Sequence, residues 1–150
     1  MLPFASKPRP EPWVVNFPTF TVQLIPLWSD NYAFLLVRDG LAAVVDPGEA
    51  GPVLECLRRQ HLHLCDILVT HGHRDHVGGV EEVRRETGAR VIAPRGLTLP
   101  RVDLAVDEGD HIDGAGLPIA VWSTPGHLPV HVTYLEPGPA PAWAFVGDVL

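Results

Sequence analysis

The stretch Thr70-His71-Gly72-His73-Arg74-Asp75-His76 closes the apolar run Ile67-Leu68-Val69 and leads into Gly78-Gly79. It places three imidazoles and one carboxylate within six positions, and neutral imidazole nitrogens with carboxylate oxygens are the ligand set of zinc and neighbouring first-row metals. A chain leaving a strand in extended form alternates its side chains, so His71 and His73 face one side while Gly72 permits a tight turn between them. That pair suits one metal. Asp75 and His76 follow the turn, beside the start of a helix expected over Val80 to Thr87, and aim at a second point nearby. Two adjacent metals are therefore expected. The isolated pair His61-Leu62-His63 has the same short pattern without further ligands and is assigned no function.

A metal centre needs ligands from elsewhere in the chain, and two other strand ends offer them. Ile119-Ala120-Val121-Trp122 runs into Thr124-Pro125-Gly126-His127, and Trp143-Ala144-Phe145-Val146 runs into Gly147-Asp148. Pro and Gly stand where the backbone must bend. His127 completes a first metal site, and Asp148, with two carboxylate oxygens, can bridge both metals. His111, distant from every one of these motifs, reads as a surface residue at a strand edge.

Elsewhere the pattern gives strands at 20–26, 32–37 and 41–45, with Asp39-Gly40 as a hairpin turn. A helix follows over Gly51 to Gln60, its apolar stripe made by Val53, Leu54 and Leu57, with Glu55 and Arg59 on the opposite side. The next strand ends in the histidine cluster. A second helix over 79–87 turns Val80 and Val83 inward and leaves Glu81 and Arg85 in solvent. Strands at 89–93, 102–106, 117–123, 130–135 and 142–147 read as a second meander, and Pro137-Gly138-Pro139-Ala140-Pro141 as a long hairpin turn.

The metal motifs in residues 70–76, Thr124 to His127 and Gly147-Asp148 resemble those of the metallo-beta-lactamase superfamily. Asp30-Asn31-Tyr32-Ala33-Phe34-Leu35, Val45-Asp46-Pro47-Gly48 and Thr124 to His131 resemble its glyoxalase II (hydroxyacylglutathione hydrolase) branch. The resemblance runs from about Thr21 to Leu150. It implies an α+β fold, the αββα sandwich, of which this chain covers mainly the first half. It also implies that His71, His73 and His127 hold metal one, that Asp75 and His76 hold metal two, and that Asp148 bridges, with Asp46, Thr70 and His131 supporting them from behind. Asp75 and Asp148 are then the catalytic carboxylates, and the cofactors are two divalent ions: zinc first, iron or manganese as alternatives. The implied reaction is hydrolysis of a glutathione thioester, such as S-D-lactoylglutathione, by a hydroxide held between the metals. The alternatives are a mononuclear iron persulfide dioxygenase, against which Asp30-Asn31-Tyr32 argues, and a metal-binding piece without catalysis. Leu128 and Val130 replace the Thr and Gly usual in the family, altering the loop beside the metals. The chain also stops two residues after Asp148, before a second sheet, a last ligand for metal two and glutathione-binding helices that the resemblance leads one to expect.

Composition agrees with this reading. An apolar fraction of 46% supports a core, and a formal charge of −7 disfavours nucleic acid as a partner. Residues 1–18, with five prolines, read as an N-terminal extension and not as a signal peptide, leaving 19–150 as the domain. No apolar stretch approaches a membrane span. Cys56, in the first helix, and Cys65, before a strand, lack a Cys-x-x-Cys spacing and read as reduced thiols of a cytoplasmic protein. Helices on one face of a sheet leave the other face bare, so self-association through that face is a further expectation.

Overall fold

The computed structural model describes residues 10–28 and 30–149. Residues 1–9 of the proline-rich stretch lie outside the described residues. Within that stretch, Trp13–Asn16 forms strand β1, paired antiparallel with β2 (Thr21–Leu27). β3 (Asn31–Arg38) and β4 (Leu41–Val45) continue the antiparallel order, and the turn between them has Asp39 and Gly40 both at positive φ, as a two-residue hairpin requires.

From β4 onward the sheet becomes parallel. Helix α1 (Ala50–Arg59) carries the chain to β5 (His63–Leu68), and the four-residue α2 (Arg74–Val77) with α3 (Val80–Thr87) carries it to β6 (Arg90–Pro94). β7 (Leu104–Val106) then pairs parallel to β6, giving a seven-stranded sheet in sequential order. This corrects the second meander: the segments read at 89–93 and 102–106 belong to the first sheet. Periodicity marks a strand but not its direction, and the intervening helix forces a parallel return. Cys65 lies inside β5, which begins earlier than its apolar end suggests.

The true second meander is β8 (His111–Gly114), β9 (Leu117–Ser123), β10 (Val132–Leu135) and β11 (Ala144–Phe145), a four-stranded antiparallel sheet. β8 is a strand of its own, four residues alternating exposed and buried, too short to stand out in the sequence.

Alternation along the central strands explains the layers. Ala33, Leu35, Ala42, Val44, Ile67, Val91 and Ala93 face α1 and α3 and pack on Val53, Leu57, Val80 and Val83. The opposite set, Leu36, Ala43, Val45, Leu68 and Ile92, packs on Ile119, Val121, Val132, Tyr134 and Phe145 of the second sheet. Each such aliphatic side chain contributes about 1.5–3 kcal/mol on burial. The near-continuous apolar runs of β4 and β5 follow from this, since a parallel sheet covered on both faces has no solvent side. The bare face expected of the first sheet is therefore covered by the chain's own second sheet. On the far side of that second sheet Pro118 and Trp122 of β9 reach solvent, and in the first sheet the edge strand β1 is exposed throughout.

Candidate metal centre

The parallel pairing of β4 with β5 brings their carboxyl ends to one edge, and β9 and β11 end, and β10 begins, over the same edge. Asp46, Thr70, His71, Thr124, His131 and Asp148 all stand within a few residues of those ends. Val132 N–H donates to the Thr70 carbonyl at 2.9 Å and ties the two sheets together at the rim, while Thr124 N–H donates to the His131 carbonyl at 2.9 Å and extends the β9–β10 pairing.

Asp148 lies at the centre. Its Oδ2 is 3.3 Å from His71 Nε2, 3.3 Å from His76 Nε2 and 3.4 Å from His127 Nε2. His73 Nδ1 lies 2.9 Å from His127 Nε2, and Asp75 Oδ2 is 3.6 Å from His76 Nε2. Two groups of ligand atoms result, each within 4.8 Å of one another: His71, His73, His127 and Asp148 in one, Asp75, His76 and Asp148 in the other. Ligands at 2.0–2.1 Å from a tetrahedral ion stand about 3.3 Å apart, close to the spacings around Asp148. All six ligand candidates from the sequence therefore meet at one place, whereas His111 stays exposed at a strand edge.

The hydrogen bonds behind these atoms decide which nitrogens are free. Asp46 is buried just past β4, at φ +51, a conformation Asp and Asn tolerate better than most residues. Its Oδ1 accepts the Thr70 N–H at 2.8 Å; its Oδ2 accepts the Thr70 hydroxyl at 2.6 Å and faces His76 Nδ1 at 2.9 Å. A carboxylate offers only acceptors, so His76 Nδ1 carries a proton and its Nε2 faces Asp148. The Thr70 hydroxyl has spent its single proton on Asp46. It must accept from His71 Nδ1 at 2.8 Å, which leaves the lone pair of His71 Nε2 directed into the site. That Nε2 is buried and makes no hydrogen bond, although Asp148 is 3.3 Å away. An orphaned buried nitrogen with a defined lone pair fits a metal ligand. Asp46, His71 and His76 also lie close enough to form a third ligand group, but the Asp46 oxygens are already occupied by Thr70 and His76, so this trio is a support and not a third site.

Electrostatics sort the rings. Burial, reinforced by the neighbouring His76, pushes the His71 imidazole down to about 4, keeping it neutral and able to donate its lone pair at pH 7. Burial also pulls on His76, yet the hydrogen bond and charge of Asp46, with Asp148 and Asp75, outweigh it and the net shift is upward. Burial lowers His131. Its Nε2 accepts the Asp148 N–H at 3.3 Å while Nδ1 lies 3.0 Å from the Thr124 hydroxyl, so His131 positions Asp148 through the backbone. Gly147 completes this arrangement at φ +55: a Cβ there would stand 2.6 Å from His131 Nε2 and 2.7 Å from Thr70 Oγ1.

A model of the metallo-beta-lactamase superfamily matches residues 27–150. The chain belongs to that superfamily. The His/Asp clusters at the sheet edge are consistent with the metal binding typical of that superfamily. The chain is 46% identical over 132 residues to a hydroxyacylglutathione hydrolase of Pseudomonas putida, an overlap that covers 86% of this chain and 51% of that one. Its fold is similar to ETHE1 from Myxococcus xanthus, with a TM-score of 0.66 and 26% identity over 77% of this chain and 52% of that one. It is also similar in fold to BJP-1, a subclass B3 metallo-beta-lactamase of Bradyrhizobium japonicum, with a TM-score of 0.69 and 21% identity over 91% and 60% of the two chains. The chain spans about half the length of the curated relatives it matches.

Three further residues of this superfamily member shape the site without having been given a role there by the sequence. Asn31 donates from Nδ2 to the Asp75 carbonyl at 2.7 Å, and Gly48 lets that same carbonyl approach. Tyr134, buried, donates to the Val69 carbonyl at 2.7 Å, directly ahead of Thr70 and His71. Tyr134 sits in an apolar strand and carries no signal of this role. Asn31 stands in a recognisable motif, but its partner lies 44 residues away.

Proposed function

We propose that this chain carries the two-metal centre of a cytoplasmic glyoxalase II-type thioester hydrolase, cleaving S-(2-hydroxyacyl)glutathione such as S-D-lactoylglutathione into glutathione and a hydroxy acid. The supporting observation is Asp148 Oδ2, which lies at 3.3–3.4 Å from imidazoles of both ligand groups, a bridging position. His71, His73 and His127 would hold the first ion, Asp75 and His76 the second, and Asp148 both. Zinc is the expected metal, and iron or manganese suits the same donors. Bound ions supply water acidified from a pKa of about 16 toward about 7 and a Lewis acid for the thioester carbonyl. Asp75, half exposed at the mouth of the site, would also orient the attacking water. Asp46 and Thr70 keep the imidazole Nε2 lone pairs aimed inward throughout. The leaving thiolate needs no acid partner, because a thiol has a pKa near ~8.5. No helix of the described residues is long and apolar enough to cross a membrane, and Cys56 and Cys65 are free thiols, in keeping with a reducing compartment.

The test loads the protein with zinc, iron or manganese and follows hydrolysis of S-D-lactoylglutathione beside a His73→Ala control. Two metals per chain with hydrolysis above the control supports the proposal. One iron per chain with oxygen consumption on a glutathione persulfide replaces it by the dioxygenase, and no turnover above the control makes the chain a metal-binding unit alone.

A further inference from the structure

We infer that Asn31 is a positioning residue for the second metal alone, acting through the backbone carbonyl of Asp75; this rests on the two-metal reading above. Asp75 and His76 sit on α2, a single turn of four residues, and a helix of that length does not hold its own shape in water. Its internal bonds come from the His73 and Arg74 carbonyls, which cap the turn without fixing where it sits on the sheet. Placement must come from outside. His76 is secured by its ring, through Asp46. Asp75 has no such anchor on its side chain: its carboxylate is 56% exposed, and its one ion-pair contact among the described residues, with His76, is at 3.6 Å. What holds Asp75 is its main chain. Asn31 Nδ2 donates to its carbonyl at 2.7 Å, from the first residue of β3.

The Asn31 amide is itself locked. Its Oδ1 accepts the Tyr32 N–H at 2.9 Å, which leaves only Nδ2 to face Asp75 and rules out the flipped amide. From the other side Gly48 admits the same carbonyl: a Cβ there would lie 1.8 Å from the Asp75 oxygen and 3.3 Å from the His76 nitrogen. The Asp75 carbonyl is therefore gripped between β3 and the β4–α1 loop. None of these contacts reaches His71, His73 or His127, which are set by Thr70 and by the second sheet. Loss of Asn31 should thus be felt at one ligand group and not at the other.

Asn31→Asp tests this with almost no change of shape, since it keeps the acceptor for Tyr32 and replaces the donor by an oxygen facing a carbonyl oxygen. Zinc titration of the protein against a competing chelator resolves two stepwise constants, and His127→Ala identifies the one belonging to the three-histidine group. The expected result is a second-metal affinity lowered about 10- to 100-fold, the range for partners that orient metal ligands, with the first constant unchanged within about twofold. Asn31→Ala should do the same with a melting temperature close to the parent. Equal weakening of both constants, or unfolding of both variants, makes Asn31 merely structural and overturns the inference, as does an unchanged second constant. A parent protein that binds fewer than two zinc ions overturns the two-metal reading itself, a result distinct from failure of Asn31.

Discussion

Replacing Asp46 by Asn should disturb both halves of the metal centre while leaving the fold intact. Asn fits the positive φ of this position and matches Asp in size, so the backbone is not strained. Oδ1 can still accept the Thr70 N–H, but the atom at the Oδ2 position becomes a donor facing the Thr70 hydroxyl and His76 Nδ1. To avoid two donors in opposition, His76 must move its proton to Nε2. The Thr70 hydroxyl must likewise turn toward His71 Nδ1, which drives the His71 proton to Nε2 as well. Both nitrogens that face Asp148 then lose their lone pairs. Hydrogen bonds to a charged acceptor are worth about 1.5–3 kcal/mol, and loss of one without full replacement should lower the melting temperature of a domain of this size by about 3–12 °C. Metal affinity should fall about 10- to 100-fold, or about 1.4–2.8 kcal/mol. In contrast to Asn31→Asp, both stepwise constants should move. Chelator competition gives the affinities, and nitrogen chemical shifts of the imidazoles in the metal-free protein give the tautomers. Retention of the Nδ1–H form on both rings, with zinc affinity within about twofold of the parent, refutes the role of Asp46 in setting the tautomers.

Two other outcomes follow from the same geometry. His76 is raised above 6.5, so in the metal-free protein it carries a proton to higher pH than a free histidine, and its contacts with Asp46, Asp148 and Asp75 stabilise the fold below pH 6.5 and fade as pH rises through its own pKa. Zinc must displace that proton, so calorimetry in buffers of different ionisation enthalpy should show proton release near neutral pH that declines at higher pH; release that grows with pH contradicts the upward shift. Gly147→Ala should cost about 1–2 kcal/mol from the left-handed backbone and more from the approach to His131 and Thr70, both held by hydrogen bonds, and an unchanged thermal midpoint counts against that packing.

The candidate ligands were legible in the sequence because metal chemistry concentrates rare residue types at strand ends, and His71, His73, Asp75, His76, His127 and Asp148 do converge. Helices α1 and α3 were legible because their buried residues recur at helical spacing. The direction of β6 and β7 was not, since an alternating or apolar run is the same read either way. Nor was the cover over the first sheet: Ile119, Val121 and Tyr134 announce a buried strand face without saying which face they meet. The roles of Tyr134 and Asn31 were hidden for a related reason. Their hydrogen bonds go to the backbone carbonyls of Val69 and Asp75, and a carbonyl partner leaves no mark on residue identity.

One short segment accounts for the pairing of the two ligand groups. β4 and β5 are in parallel register to Val45 and Leu68, and Asp46 N–H donates to the Leu68 carbonyl at 2.9 Å, so the first residue past β4 reaches the chain leaving β5. The positive φ of Asp46 then directs its carboxylate at Thr70 and His76 together. Two residues on, Gly48 receives the Asp75 carbonyl, and Pro47 accepts the Gly79 N–H at 2.9 Å, where a Cβ on Gly79 would be 2.5 Å away. Asp46, Pro47 and Gly48 thus set the tautomers of His71, by way of Thr70, and of His76, and help locate the turn that carries Asp75. A change at Asp46 should therefore reach both ligand groups, whereas loss of Asn31, which grips only the Asp75 carbonyl from β3, should reach one.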